Sequence, residues 1–390
     1  MFKREFTEEQ QMFRGAFRRF LEQEIVPNME QWREDGIVSR VAFEKAGENG
    51  FLLTWADEAF GGLGDEDFRF EQIMLEEAQY ALCGDWYVSL HSRLVAPYIK
   101  RFGTLQQQEK YLPKCIVGET ILAVAMTEPD AGSDLLGMRS TAIDKGDHYL
   151  LNGSKVYISN GINADLVVVA AKTDPVNNPR AISLFLVERG MPGFERGANL
   201  KKMGKKAQDT AELFFNNVKI PKENLLGREG KGMSHLMEAL GEERLISAVE
   251  ALAAAQKAFD ITVEFTRERK LFGKKLADFQ NTQFKLAELK AELDMQQIYI
   301  DQCVKAVNED VLTAVDAAKA KYLTTELLCR VVDEGVQIHG GAGYMDEYPI
   351  SRMYTDARVT RIYAGTSEVM KLIIGRDIYS EDYAPFVDRD

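Results

Sequence analysis

The sequence predicts an α+β protein of several domains that is mainly helical, with a helical first third, a β-rich middle third and a helical last third. Apolar residues recur at helical spacing up to about residue 124 and again after residue 232. Between these stretches, short runs rich in β-branched residues alternate with Gly, Pro and Asn-Gly signals. The 390 residues also exceed one typical domain of about 150. We therefore place domains at residues 1–124, 125–232 and 233–390.

The first domain opens with a helix-start signal. Thr7, followed three residues later by Gln10, matches a capping box, in which each side chain satisfies a backbone N–H of the first turn. The residues after it place apolar side chains on one helix face. We expect this face to be buried, and it consists of Met12, Phe13, Phe17, Phe20, Leu21 and Ile25.

The middle domain is predicted from β-rich runs that are bounded by turn residues. We interpret the pairs Asn152-Gly153 and Asn160-Gly161 as turns between strands, because Asn and Gly tolerate positive φ angles. The predicted β runs cover residues 148–151, 166–170, 182–187 and 211–215.

The last domain is predicted from the return of the helical period after Gly232, in long stretches rich in Ala, Leu, Lys, Glu and Gln. An aliphatic stripe within these stretches is typical of core packing between helices. The stripe consists of Leu286, Leu289, Leu293 and Ile300.

Composition and charge exclude several classes of function. The chain has 61 acidic and 48 basic residues and a net charge of −13, which argues against nucleic acid as the main partner. No apolar run approaches the roughly 20 residues that cross a bilayer, and the first residues resemble neither a signal nor a transit peptide. We therefore expect a cytoplasmic protein. The four cysteines and four histidines lack metal-ligand spacing, so ordinary buried thiols are favoured over a zinc site or disulfides.

The motifs that carry chemistry are glycine-punctuated polar segments in the last two thirds of the chain. The common dinucleotide, P-loop and hydrolase signatures are absent from the sequence. The segment AMTEPDAGSD at residues 125–134 resembles the signature of the acyl-CoA dehydrogenases, flavoproteins that desaturate acyl-CoA thioesters. Further matches to this family follow in order over essentially the whole chain: KVYISNG at 155–161, RKLFG at 269–273, QIHGGAGY at 337–344 and IYAGTSE at 362–368.

The resemblance implies a fold and a cofactor. It implies an N-terminal helical domain, a central β-barrel-like domain and a C-terminal four-helix bundle, assembled as a homotetramer. FAD is expected between the last two domains, with its adenine end reaching a neighbouring subunit. Met126 and Thr127 are expected to face the flavin ring, and Tyr157, Ile158 and Ser159 its other side. The family more often has Trp where Tyr157 stands, but either aromatic ring can cover a flavin face.

A second set of matched residues is expected to hold the pyrophosphate and adenosine of FAD. A guanidinium group and backbone N–H groups suit phosphate, and paired glycines permit close approach of the backbone. Ser133 matches a position that binds the cofactor and the pantetheine arm of the substrate. The other residues matched to this part of FAD are Arg269, Phe272, Gln280, Gln337, Gly340 and Gly341. The last cofactor contacts are matched by Thr366, Ser367 and Glu368.

The catalytic base is not at the position that many family members use. Removal of the α proton of a thioester requires a carboxylate, yet the residue at that position is Ala364. The long-chain and isovaleryl-CoA dehydrogenases instead use a glutamate in a Glu-Arg-Leu segment, and Glu243 matches it. Glu242 is expected to be its solvated neighbour, because adjacent helical residues lie about 100° apart. The backbone N–H of Ala364 can still stabilise the thioester oxygen. The substrate contacts expected besides Ser133 are Arg244, Tyr363, Ala364 and Gly365.

The sequence therefore predicts an FAD-dependent dehydrogenase of medium-to-long acyl-CoA, which yields trans-2-enoyl-CoA and passes electrons to an electron-transferring flavoprotein. Likeness to the long-chain branch favours this substrate. Short branched isovaleryl-CoA and terpenoid acyl-CoA stay open, because both subfamilies place the base in the same way. A flavin oxidase or monooxygenase on the same fold is another alternative. A non-catalytic acyl-CoA or flavin-binding protein is a third, against which the retained Glu243 argues.

Overall fold

The computed structural model describes residues 4–381 and 383, which divide into two units. One unit is Thr7–Ala239, and the other comprises the chain from Leu240 onward together with the residues before Thr7. The first unit holds the N-terminal helices and the sheet, and the second holds C-terminal helices. The predicted order of helical, β and helical regions is confirmed. The domain boundaries after residues 124 and 232 stay a prediction.

The N-terminal helices begin where the sequence predicts. Gln10 N–H donates to Thr7 Oγ1 over 3.2 Å and Thr7 N–H to Gln10 Oε1 over 3.0 Å, so the capping box is confirmed. The α-helices of this region are α1 (Glu8–Phe20), α2 (Met29–Asp35), α3 (Arg40–Glu48), α4 (Phe68–Tyr80), α5 (Ala96–Phe102) and α6 (Leu105–Ile116).

The apolar face of α1 is buried, with one exception. Phe17 and Phe20 are buried and Phe13 packs partly against the same core, but Met12 is 70% exposed. The prediction for Met12 is therefore wrong. Met12 precedes Phe13 by one residue and so points about 100° away from it, off the face that the phenylalanines define.

The middle of the chain forms one eight-stranded sheet with the strand order β6-β7-β3-β2-β4-β5-β8 and with β1 paired to β4. All four predicted β runs lie within strands. β1 pairs with β4 in parallel. The strands are β1 (Leu122–Ala125), β2 (Thr141–Asp144), β3 (His148–Ser159), β4 (Leu166–Lys172), β5 (Ile182–Glu188), β6 (Phe194–Asn199), β7 (Thr210–Pro221) and β8 (Leu225–Leu226).

The two predicted Asn-Gly turns differ in outcome. Asn160 and Gly161 follow the end of β3 in a turn, as expected. Asn152 and Gly153 lie inside β3, so that prediction is wrong. The β3–β7 register shifts between Leu151 and Gly153, at a β-bulge, and Gly153 has a φ of 142°. A Cβ at Gly153 would lie 2.2 Å from Ser140 Oγ, so the glycine serves a close approach.

The start of β1 is fixed by His91, a fully buried side chain. Its Nδ1 accepts from Leu122 N–H over 3.3 Å, and its Nε2 lies 3.0 Å from Cys115 O. These partners require the neutral tautomer that carries its proton on Nε2. Burial lowers the pKa of His91 to about 4. The ring therefore joins α6 to the strand that leads into the first motif.

The C-terminal unit is built on long helices. On α8, Leu289, Leu293 and Ile300 of the predicted stripe are buried, and Leu286 is half-buried. A two-stranded hairpin separates the first two helices. The elements are α7 (Gly232–Glu268), which starts in the other unit, β9 (Lys270–Leu271), β10 (Lys274–Lys275), α8 (Gln280–Asn308), α9 (Ala314–His339), α10 (Pro349–Ala357) and α11 (Ser367–Ile378).

The cysteines behave as the sequence analysis expects. Cys83, Cys115 and Cys303 are buried free thiols, and Cys329 is half-buried and free. Burial raises the pKa of Cys83 to about 12. None of the helices described in residues 4–381 is both long and apolar enough to cross a membrane.

Candidate active site

The two motifs that are expected to face the flavin ring lie side by side in the first unit. Met126 and Thr127 directly follow β1, and the N–H of Val156 in β3 donates to Thr127 O over 3.0 Å. Met126, Thr127 and Ser159 are half-buried, so each has an accessible side. Ser133 lies exposed in the loop that continues the first motif. The structure thus brings together segments that are about 30 residues apart in sequence.

A buried ion pair joins these two segments. Lys155 is fully buried, and its Nζ lies 2.8 Å from Glu128 Oε1 and 3.0 Å from Met126 O. Glu128 also accepts from the backbone N–H groups of Arg139 and Ser140. Burial by itself raises the pKa of Glu128, but these hydrogen bonds outweigh burial and hold that pKa below its usual value. Lys155 therefore fixes the backbone of Met126 beside β3.

This pair was not predicted from the sequence, although both residues lie in the motifs at 125–134 and 155–161. The available signal was a charged side chain inside a strand. Lys155 directly precedes Val156 in β3, which extends beyond the predicted run at residues 148–151, and a lysine there is buried only when it is paired. Its partner Glu128 is 27 positions away, which no local pattern reveals.

The aromatic residue predicted at the flavin face, Tyr157, has an unusual backbone conformation and an exposed side chain. Tyr157 has a φ of 61° and its side chain is 70% exposed. A non-glycine residue in left-handed backbone costs of order 1–3 kcal/mol and persists where the surrounding structure holds it, often at functional sites. The next residue, Ile158, has its side chain buried in the sheet core. The ring of Tyr157 is therefore accessible to a flavin, whereas Ile158 can contact a flavin only through its backbone.

In the second unit, α7 carries the predicted base. Glu243 is 4% exposed, and Glu242 is half-buried. Arg244 is 7% exposed, and its Nε has no hydrogen-bond partner among the described residues. Burial lowers the pKa of Arg244, and the negative charge of Glu243 opposes that shift. A buried N–H without a partner is a donor that a ligand can use.

The segment at the usual base position is a strained turn held by α9. Ala364 has a φ of 50° and Gly365 a φ of 94°. Lys321 of α9 is fully buried and its Nζ donates to Gly365 O over 2.7 Å. The charges of Arg244 and Glu368 both act on the pKa of Lys321. Lys321 therefore holds this turn and lies within electrostatic range of Arg244, the residue that follows the predicted base on α7. This lysine was not predicted from the sequence.

The residues after this turn differ in how far their side chains are buried. Ser367 is buried, and its hydroxyl donates to Glu326 over 2.6 Å. Thr366 caps α11, because its Oγ1 accepts from Val369 N–H over 3.3 Å. Glu368 lies exposed in the first turn of α11. The Ser367 side chain is thus engaged within the protein, and Glu368 is accessible.

The residues expected at the FAD phosphates cluster at the ends of α7 and α9. Phe265 near the end of α7 stacks on His339 at the end of α9, with ring centroids 4.0 Å apart. The exposed Arg269 and Gln280 flank the β9–β10 hairpin. Its tip, Phe272, has a φ of 50° and is 88% exposed. These positions present one cation and one aromatic ring at the surface.

The glycine pair after α9 leaves space for a ligand. Gly340 has a φ of 60°, and a Cβ at Gly340 or at Gly341 would meet no heavy atom within 4 Å. Gln337, one turn earlier on α9, is exposed. Exposed glycine backbone with open space in front of it suits the close approach of a phosphate.

Family models match almost the entire length of the chain. The models are the acyl-CoA dehydrogenase N-terminal domain at residues 7–119, middle domain at 123–218 and C-terminal domain at 230–379. The chain belongs to the acyl-CoA dehydrogenase family. The predicted resemblance and enzyme class are therefore confirmed.

Curated relatives and solved structures agree with this assignment. The chain is 46% identical to the mitochondrial long-chain specific acyl-CoA dehydrogenase of Rattus norvegicus, over 97% of this chain and 88% of that protein. It is 37% identical to the mitochondrial isovaleryl-CoA dehydrogenase of Pongo abelii, over 95% and 88%. The crystal structure of an acyl-CoA dehydrogenase from Geobacillus kaustophilus has a TM-score of 0.94 and 47% identity, and the match covers 97% of this chain and 100% of that one.

Two further relatives carry names that bear on a cofactor and a partner. A crystal structure of an acyl-CoA dehydrogenase from Bacillus anthracis is described as complexed with FAD. It has a TM-score of 0.89 and 32% identity, and the match covers 96% of this chain and 67% of that one. The CarC subunit of the caffeyl-CoA reductase-Etf complex of Acetobacterium woodii is 36% identical, over 95% of this chain and 98% of that protein.

Proposed function

We propose that this chain is an FAD-dependent dehydrogenase that converts medium-to-long acyl-CoA thioesters to trans-2-enoyl-CoA in fatty acid β-oxidation. The observation that carries this proposal is the pairing of two features of the second unit. A buried carboxylate, Glu243, lies on α7, and the usual base position is an alanine, Ala364, in a left-handed turn. Lys321 of α9 donates to the carbonyl of Gly365, the residue after Ala364. Glu243 is therefore our candidate for the base in the family's proton step.

The described residues fit FAD. An accessible aromatic ring at Tyr157, half-buried polar side chains at Thr127 and Ser159, and open glycines at Gly340 and Gly341 supply what a flavin ring and a pyrophosphate require. Bound FAD supplies the acceptor for the hydride that leaves Cβ of the substrate. Other FAD contacts proposed are Met126, Ser133, Ile158, Arg269, Phe272, Gln280, Gln337, Thr366, Ser367 and Glu368.

The proton step is assigned to Glu243. Its carboxylate takes the α proton, which becomes acidic only if negative charge on the thioester oxygen is stabilised. Backbone N–H groups are suitable donors for such an oxygen, and we assign this role to the N–H of Ala364. Arg244 follows the base in sequence, its Nε has no hydrogen-bond partner within the described part of the chain, and we assign it as a further donor toward the substrate. The substrate contacts proposed are completed by Tyr363 and Gly365.

The chain-length preference rests on similarity to a relative named as long-chain specific, at 46% identity. The 37% identical isovaleryl-CoA dehydrogenase keeps short branched substrates as the second candidate. Electron transfer to an electron-transferring flavoprotein is supported by the Etf complex to which the CarC relative belongs. If oxygen serves as the acceptor instead, the protein is an oxidase.

A homotetramer is part of the proposal. Helix α8 exposes large apolar side chains at Phe284, Met295 and Ile298, which are 58%, 65% and 42% exposed. Exposed large apolar side chains along one helix are typical of surfaces that another subunit covers. Light scattering after size exclusion is expected to give four times the subunit mass of 44.0 kDa.

An anaerobic titration with acyl-CoA thioesters of increasing length tests the function. The proposal predicts a yellow protein whose flavin absorbance bleaches on addition of dodecanoyl-CoA and recovers when an electron-transferring flavoprotein is added. Rapid recovery with oxygen alone identifies the oxidase. The proposal is contradicted if the protein is loaded with FAD and none of the acyl-CoA thioesters bleaches its flavin absorbance.

A further inference from the structure

Two residues of helix α9 hold the segment around Ala364 through three contacts. Lys321 Nζ donates to Gly365 O over 2.7 Å. One turn further along α9, Glu326 Oε1 accepts from Arg361 Nε over 2.8 Å and from Ser367 Oγ over 2.6 Å. The carboxylate of Glu326 thus fixes both ends of the segment 361–367, and Lys321 fixes its middle.

The middle contact is the one that this backbone needs most. Ala364 and Gly365 both have positive φ angles, 50° and 94°, and consecutive left-handed residues are uncommon. At Ala364 the conformation is strained, because its Cβ crowds the following carbonyl. Such backbone persists only where surrounding contacts hold it. An ammonium donor to the Gly365 carbonyl is a strong, charge-assisted contact of this kind.

The buried position of Lys321 is also energetically unfavourable for a charged side chain. Its side chain is fully buried, and among the described residues Gly365 O is its hydrogen-bond acceptor. A buried lysine without a carboxylate in direct contact needs a reason, since burial of its charge costs free energy. Contact with a turn in the catalytic region provides one.

We propose that Lys321 is a positioning residue, whose ammonium group holds the Ala364–Gly365 turn so that the N–H of Ala364 keeps its direction toward the substrate oxygen. This proposal rests on the function proposed above. Lys321 itself is not assigned any contact with the substrate.

The charge of Lys321 makes the contact dependent on pH. Burial lowers its pKa to about 8, and the positive charges of Arg244 and Arg361 act in the same direction. The carboxylates of Glu326 and Glu368 oppose this shift. As pH rises through about 8, the ammonium becomes an amine and its hydrogen bond to Gly365 O weakens. The rate of flavin reduction is expected to fall over the same range.

The test compares the FAD-loaded wild type with Lys321→Met, which keeps the length of the side chain and removes the donor. Lys319→Met is the matched control, because Lys319 lies two residues away and is half exposed. We measure flavin reduction by dodecanoyl-CoA in single-turnover mixing from neutral pH to about pH 9.5. We also measure the binding of trans-2-dodecenoyl-CoA by calorimetry.

The proposal predicts that Lys321→Met reduces its flavin about tenfold or more slowly at neutral pH, since small misplacement of a reacting group has effects of that size. Its rate is then flat where the wild-type rate declines, and its enoyl-CoA affinity stays within about threefold of wild type. Lys319→Met follows the wild type throughout.

Two results overturn the proposal. One is a Lys321→Met variant that matches the wild-type rate and pH profile. The other is a wild-type rate of flavin reduction that does not decline above about pH 8. This second result can be obtained even if the variant does not fold. If dodecanoyl-CoA and its shorter and longer homologues fail to reduce the wild type, the proposed function itself fails and this proposal with it.

Discussion

Removing Lys155 is predicted to destabilise the first unit strongly. In Lys155→Met, Glu128 keeps two backbone N–H donors but loses its only described cationic partner, and Met126 O loses its donor. Removal of one member of a buried ion pair costs about 3–5 kcal/mol, because the remaining charge stays buried without compensation. We therefore expect a loss of about that size in the free energy of unfolding.

The assay is urea denaturation followed by circular dichroism, with Lys219→Met as the matched control. Lys219 lies exposed in β7 of the same sheet, and its replacement is expected to change the free energy of unfolding by less than about 0.5 kcal/mol. Combining Lys155→Met with Glu128→Gln removes the orphaned charge and should recover part of the loss. A Lys155→Met variant within about 1 kcal/mol of wild type would refute the reasoning.

Three other predictions concern the cofactor, the substrate and the pH dependence of stability. Arg269→Ala is expected to weaken FAD retention in equilibrium dialysis, because it removes a charge-assisted phosphate contact; unchanged retention contradicts the assignment. Specificity as kcat/KM should rise from butanoyl- to dodecanoyl-CoA by up to about fourfold per methylene, at about 0.8 kcal/mol each, whereas a maximum at isovaleryl-CoA favours the second candidate. The free energy of unfolding of the wild type should fall by about 3 kcal/mol as pH falls from 6.5 towards 4, because in this range His91 is protonated only in the unfolded chain. In His91→Gln this contribution to the pH dependence of stability should be absent.

Features that depend on neighbouring residues were predictable from the sequence. The capping box at Thr7 involves a spacing of three residues, and the β runs follow from their own composition. The motif segments were recognised because each is contiguous. Local patterns were wrong where a distant group decides the outcome. Gly153 has the composition of a turn residue, but it lies at a bulge inside β3, where Ser140 approaches it closely.

The supporting contacts of the site were not predictable for the same reason. Lys155 and Glu128 are 27 positions apart, and Lys321 and Gly365 are 44 apart. From the sequence alone, a lysine in a helix such as Lys321 is interpreted as a solvated charge. Its partner becomes visible only when α9 packs against the Ala364 turn. The positive φ angles of Tyr157 and Ala364 likewise follow from tertiary constraints, since neither residue type favours them.

The central claim is that the base has moved to Glu243, and single-turnover flavin reduction of Glu243→Gln tests it most directly. The substitution keeps the shape of the side chain and removes its basicity. Flavin reduction by dodecanoyl-CoA should slow by at least the roughly 10²–10⁴-fold that a positioned base contributes, while acyl-CoA binding survives and Glu242→Gln changes little. Placing a carboxylate at the usual position, in Glu243→Gly with Ala364→Glu, should restore part of the rate. Reduction of Glu243→Gln at the wild-type rate would contradict the account, because the α proton would then leave to another group.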